Sequence, residues 1–429
     1  MPDLRAGDQR LANATVPACL VDGTALAADR DGLAAVDLDL AGGKIARLTP
    51  AGTTIPTLPV TNLGRRMVWP GFVDLHTHID KGHIWERAHN PDGTHGGAVR
   101  AVGDDRTANW SAGDVRRRMD FSLRCAYAHG TVALRTHIDS LAPQAAISWP
   151  VFAELRSAWA GRIELQAASI AVFDVYRDPA AARDMADIVA AHGGLLGGSL
   201  QGRVDVTEPL DLMFALAAER GLDIDLHVDE TLDAESRCLA QVAHATRRHS
   251  YAGRVTVGHI CSLAQQDDAE ATAALVAAAG ISVVSLPMCN LYLQDRIPGR
   301  TPRLRGVTAL HELRAAGVAL SIASDNTRDP FYFYGDLDMV EVLREGARIG
   351  QLEFPFGDWP NAFARAPADT MKLPHLGRFT TGASANLVIC EGRSYSEVLS
   401  RPQARRIVLR AGRAIDTTPP DHAELDGIL

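Results

Sequence analysis

Asp74-Leu75-His76-Thr77-His78-Ile79-Asp80-Lys81, entered directly from Trp69-Pro70-Gly71-Phe72-Val73, reads as a short buried strand that ends in two imidazoles. Alternation along a strand places residues i and i+2 on one face. His76 and His78 therefore point the same way, close enough to share one cation. An isolated His-x-His is weak, because imidazoles also hydrogen-bond well inside cores. At the end of a Val/Phe-rich strand that follows a Pro-Gly break, it becomes a metal hypothesis to test against the rest of the chain.

The middle of the chain alternates strand and helix. Eight strands are expected: Gly71–His78, Thr131–Asp139, Arg162–Ile170, Leu195–Leu200, Asp223–Glu230, Val255–Ile260, Ser282–Pro287 and Ala319–Asp325. Between them lie segments of helical period, such as Asp114–His129 (capped by Ser111, stopped by Gly130), Ala182–His192, Asp233–His249 and Ala269–Ala279. Eight strands each followed by a helix is the count of a (β/α)8 TIM-type barrel, in which chemistry sits at the C-terminal strand ends. An open doubly wound sheet is the alternative, but no Gly-x-Gly-x-x-Gly follows a first strand. Both ends of the chain read differently, as short strands with tight turns: Ala18–Val21, Ala35–Leu38 and Lys44–Leu48, then Ala385–Cys390 and Arg406–Leu409. The expected division is 1–68 and 376–429 as one small β-sandwich built from both termini, and 69–375 as the barrel.

Composition removes several function classes. A formal charge of −9, with no long Lys/Arg run, argues against a nucleic-acid partner. The most apolar stretch, Ala273–Pro287, is broken by Gly280 and is too short to span a bilayer. Cys19, Cys125, Cys238, Cys261, Cys289 and Cys390 form no C-x-x-C pair and read as reduced thiols. With no basic-then-apolar leader pattern, a cytoplasmic protein is expected.

The polar residues at the strand ends share one rim. Strand one ends in His76 and His78, strand five in His227 with Glu230 just beyond, strand six in His259, and strand eight in Asp325 and Asn326. Three imidazoles and one carboxylate from such a set suit Zn2+ or Fe2+, with room left for water.

These stretches, together with Ala128-His129-Gly130-Thr131, Arg135-Thr136-His137-Ile138-Asp139, Asp225–Glu230, Asn290–Gln294 and Ala323-Ser324-Asp325-Asn326, resemble the amidohydrolase superfamily. The resemblance runs over nearly the whole chain, to the cytosine deaminase-like branch that includes N-isopropylammelide amidohydrolase. It implies a barrel with a β-sandwich, one divalent metal (Zn2+ or Fe2+) held by His76, His78, His227 and Asp325, and self-association into a homo-oligomer. It also implies that Glu230 shuttles protons, that His259 orients or polarises the attacking water, and that Asp325 accepts its proton. Many relatives bridge two metals with a carbamylated lysine on strand four; this chain has no lysine between Lys81 and Lys372, so one metal is expected.

The implied reaction is hydrolytic deamination of an amino-substituted nitrogen heterocycle, cytosine-like, s-triazine-like or a cyclic guanidine. Lys81, Trp85, Val172, Asn326 and Phe331 are the expected substrate contacts, with His83, Arg87, His89 and His95 as further candidates in the loop Gly82–Val99. Val172 stands where cytosine deaminases carry a glutamine, Asn326 where they carry a second aspartate, and Phe331 replaces a tryptophan, which argues against cytosine itself. Hydrolysis of a cyclic amide or of an N-alkylamino heterocycle is the alternative, and a non-catalytic relative the third reading.

Overall fold

The computed structural model describes residues 1–429 except 2, 3, 5, 6, 403, 404 and 429. Its strands are β1 (Gln9–Pro17), β2 (Leu33–Ala41), β3 (Lys44–Pro50), β4 (Val60–Asn62), β5 (Val68–Pro70), β6 (Phe72–Thr77), β7 (Thr131–Asp139) and β8 (Glu164–Ile170). They continue with β9 (Leu196–Leu200), β10 (Ile224–Val228), β11 (Val255–His259), β12 (Ser282–Ser285), β13 (Ala319–Ile322), β14 (Leu387–Cys390), β15 (Arg406–Arg410) and β16 (Arg413–Ala414). The eight strands expected in the middle are β6 to β13; β7 spans its expected range in full and the others are one to three residues shorter. Contacts divide the chain into two units.

The first unit comprises Met1–Asp74, Arg124–Ala133 and Leu337–Pro420. It holds two four-stranded sheets, ordered β3-β2-β1-β4 and β16-β15-β14-β5. One expectation fails here, and one long strand was not anticipated. Ala18–Leu20 is a 3-10 turn rather than a strand, because it follows Pro17, whose missing N–H ends the ladder. The strand the pattern hid is β1, where Arg10 is buried and donates to both oxygens of Asp39.

In the same unit Asp338 caps the helix Met339–Gly350 through Val340 N, and Arg406 of β15 grips its two oxygens at 2.5 and 2.6 Å. Burial raises this carboxyl, but Arg406 and His129 outweigh it and bring the pKa down to about 2. A carboxyl lowered on folding stabilises the protein above its unfolded pKa, and that contribution drains away as pH falls from about 4 through about 2. Arg406→Met, which strands the buried carboxylate, is expected to cost about 3–5 kcal/mol in urea unfolding at pH 7. At pH 2 the same comparison should show a much smaller difference.

The second unit comprises Leu75–Leu123, Leu134–Asp336 and Asp421–Leu429. It holds the parallel five-stranded sheet β13-β12-β11-β10-β9, strand β8, and the parts of β6 and β7 from Leu75 and Leu134 onward in the sheet β6-β7-β8. Isolated parallel bridges Ala168↔Leu195 and Val172↔Ser199 join the β8 and β9 segments, and Thr77↔Asp325 joins β6 to the residue three beyond β13. Every position of β6, β7, β10 and β11 is buried, as apolar runs covered on both faces require. The loop expected over Gly82–Val99 is a loop only as far as Thr94; its last residues begin the helix His95–Asn109, which Thr94 caps by accepting from Gly97 N. No helix among the described residues is long and apolar enough to cross a membrane.

Candidate metal centre

His76 on β6, His78 just beyond it, His227 on β10 and Asp325 after β13 meet at one point. His227 Nε2 lies 3.1 Å from Nε2 of both His76 and His78. Asp325 Oδ1 lies 3.2 Å from His78 Nε2 and 3.6 Å from His76 Nε2. Four donors about 2.0–2.2 Å from a tetrahedral ion would stand about 3.3–3.6 Å apart, close to these separations. Burial first, and nearby positive groups second, keep His76, His78 and His227 well below the ordinary histidine range, so each ring offers a neutral nitrogen. Both Asp325 oxygens are buried, and no donor stronger than the Cys289 thiol serves them among the described residues. Burial, with Glu230 adding to it, pushes that carboxyl well above its usual range, while the Cys289 thiol favours the ionised form. Neutral imidazoles beside a buried carboxyl so weakly served are a costly arrangement that a cation would complete. The donor set fits a divalent metal.

The backbone is bent to make this arrangement. Asp325 and His259 sit at φ of 68° and 69°, left-handed values that non-glycine residues rarely adopt and that cluster at functional sites. At Gly258, one residue before His259, a Cβ would stand 3.0 Å from His76 Cε1 and press on that ligand ring.

Other buried polar groups surround the cluster. Asn290 Nδ2 lies 2.9 Å from His259 Nδ1. Glu230 Oε1 lies 3.5 Å from both His259 Nδ1 and Asn290 Nδ2. Its other oxygen, Oε2, lies 3.3 Å from His95 Nε2. Burial raises the Glu230 carboxyl, but His259 and His95 together hold it below its ordinary value. Lys81 is buried with Nζ 3.0 Å from Asp139 Oδ1, while Arg106 donates to the other Asp139 oxygen at 3.0 Å. His76, His137 and Asp225 form a second group of three donors, but Arg135 already occupies Asp225 Oδ2 at 2.7 Å. A guanidinium in that position opposes a second cation.

The site opens into a cavity of about 510 Å³ whose lining includes His78, Lys81, His227, Glu230 and His259. Val172, Asn326 and Phe331 line it as well, and Phe331 lies under Lys81 Nζ at 5.8 Å. Trp85 stands outside the lining, packed edge-on against Phe333 and His89. Of the other loop candidates, His95 lines the cavity, Arg87 is taken up by Asp105 and Asp114, and His83 is buried against Phe121. Sequence reading passed over Asn290, Arg106 and Asp139 as site residues. Asp139 was within reach, since Arg135, His137 and Asp139 alternate along β7 and face one way. Asn290 and Arg106 come from helices whose approach to the site depends on folding.

The sequence profile of the Amidohydrolase family matches residues 151–415. The chain belongs to that family. This amidohydrolase is 53% identical over 421 residues, 98% of its own length and 96% of the other, to a pterin deaminase from Rhizobium rhizogenes. It is 27% identical over 299 residues to an N-isopropylammelide isopropyl amidohydrolase from Pseudomonas sp., covering 66% of this chain and 69% of that one. Among solved structures, 5-methylcytosine deaminase from Klebsiella pneumoniae bound to 5-fluorocytosine superposes with a TM-score of 0.81 at 25% identity, covering 95% of this chain and 97% of that one.

Proposed function

We propose a pterin as the substrate of this metal-dependent heterocycle deaminase, its exocyclic amino group being replaced by oxygen from water with release of ammonia. The observation that carries the substrate is the 53% identity, along almost the whole chain, to a protein that deaminates pterins. A cavity of about 510 Å³, with Val172 where a ring-reading glutamine would favour cytosine, supports a bicyclic ring.

We take His76, His78, His227 and Asp325 as ligands of a single Zn2+ or Fe2+. A divalent metal held there supplies a nucleophile at neutral pH by lowering the pKa of water from about 15.7 to about 7. Asp325 aligns that water and accepts its proton. Glu230 gives a proton to the ring nitrogen beside the amino-bearing carbon, which makes that carbon electrophilic. His259 hydrogen-bonds the oxygen that develops at the attacked carbon. The amino nitrogen then takes the proton held by Asp325, its bond to carbon breaks, and the hydroxyl proton follows the departing nitrogen as the ring keeps a carbonyl. Lys81, Asn326 and Phe331 hold the ring in the cavity; Trp85 lies too far out to share that task. We also read β6 to β13, within 69–375, as a closed (β/α)8 barrel, supported by the parallel bridges at both seams. The two four-stranded sheets are read as a β-sandwich built from 1–68 and 376–429.

An ammonia-release assay over pterin, cytosine, N-isopropylammelide and a cyclic amide tests the reading. Pterin is expected to exceed cytosine in kcat/KM by about 10²-fold or more. Preference for cytosine would refute the substrate, and ring opening without ammonia would refute the reaction.

A further inference from the structure

His95 is placed with more care than a loop residue needs. It opens the helix His95–Asn109 and lines the cavity. Just before it, Asn90 Nδ2 donates to Thr94 O and to Pro330 O, each at 3.0 Å, tying this segment to the one that carries Phe331. The His95 ring meets Phe331 edge-on, with centroids 5.5 Å apart. Its Nε2 then faces Glu230 Oε2 at 3.3 Å, on the side of the carboxylate away from His259. The His95 side chain is 25% exposed and that of Glu230 only 7%. Glu230 is thus flanked by one imidazole in the interior and another that reaches solvent.

We propose that His95 carries protons between solvent and Glu230, acting through that carboxylate rather than on the substrate. This rests on the deaminase reading above. Glu230 must deliver a proton to the ring, yet its two imidazole neighbours favour its ionised form. The proton therefore waits on His95 Nε2, whose protonated form the Glu230 carboxylate stabilises against the opposing effects of burial and of Lys81. When the ring nitrogen arrives, the N–H bond of His95 breaks as an O–H bond forms on Glu230 Oε2, and the carboxyl passes that proton to the ring. His95 then takes a proton from water at the cavity mouth. The departing nitrogen carries away both the Asp325 proton and the hydroxyl proton as ammonium, so each turnover draws one proton from solvent through His95 to Glu230. No oxidant or other co-reactant enters the balance.

The test compares His95→Gln and His95→Ala with wild type, following ammonia release from pterin across pH and measuring bound metal alongside. In His95→Gln, kcat is expected to fall about 10²-fold, with metal content unchanged. In wild type, activity should fall as pH rises through the His95 pKa; in His95→Gln that alkaline limb should move to lower pH. Added imidazole should restore part of the rate in His95→Ala, since the vacated space adjoins solvent. A His95→Gln enzyme with wild-type kcat and an unmoved profile overturns the proposal. Loss of rate with neither a moved limb nor imidazole rescue assigns His95 to packing, and overturns it too. A wild-type enzyme that releases no ammonia from any heterocycle would instead remove the deaminase reading beneath it.

Discussion

Glu230→Gln is expected to keep the metal and lower kcat by about 10²–10⁴-fold, the usual worth of a positioned acid or base. The substitution retains the shape of the side chain and its reach toward His259 and His95, so packing should change little. What disappears is the ability to carry a proton from one atom to another. Because Glu230 is drawn toward His259, His95 and Asn290 and not into the four-donor cluster, its loss should leave metal stoichiometry intact. The effect should fall on kcat more than on KM, which marks an interaction made in the transition state. A variant turning over within a few-fold of wild type would remove Glu230 from the chemistry.

A larger effect is expected from His227→Asn. His227 Nε2 stands 3.1 Å from both other imidazole nitrogens, so its removal opens the donor set on the side that faces them both. Metal content should drop sharply, and activity should fall by on the order of 10⁴-fold or more, since hydroxide is otherwise scarce near pH 7. The fold should also lose stability, because a ligand that binds only the native state stabilises it by mass action. A chelator added to wild type should lower Tm as well, and should leave the Tm of His227→Asn nearly unmoved. A variant that keeps full metal and full rate would show that the cation sits elsewhere.

Much of the site was legible because β-strands repeat every two residues. His76 and His78, or Asp225 and His227, declare a shared face without any knowledge of the fold. The strands themselves were legible because burial on both faces favours β-branched runs such as Val255-Thr256-Val257. Edges were less so: β1 carries buried Gln9 and Arg10, and a register shift between Leu11 and Ala14 breaks its alternation. The helix His95–Asn109 escaped notice because it is polar on most sides and holds Gly96, Gly97 and Gly103. Its position depends on distant partners, with Arg106 reaching Asp139 and Asp105 reaching Arg87. Hence His95 could be named as a cavity candidate from sequence, while its contact with Glu230 could not. Trp85 illustrates the converse: an aromatic near the site found other aromatics to pack against instead.

The most direct test is elemental analysis of the purified protein combined with ammonia release from pterin, on wild type and on Asp325→Asn. One Zn2+ or Fe2+ per chain with steady ammonia release in wild type, and loss of both in Asp325→Asn, is the expected outcome. A metal-free wild type that still releases ammonia, or an Asp325→Asn protein retaining its metal and its rate, would contradict a cation held by His76, His78, His227 and Asp325.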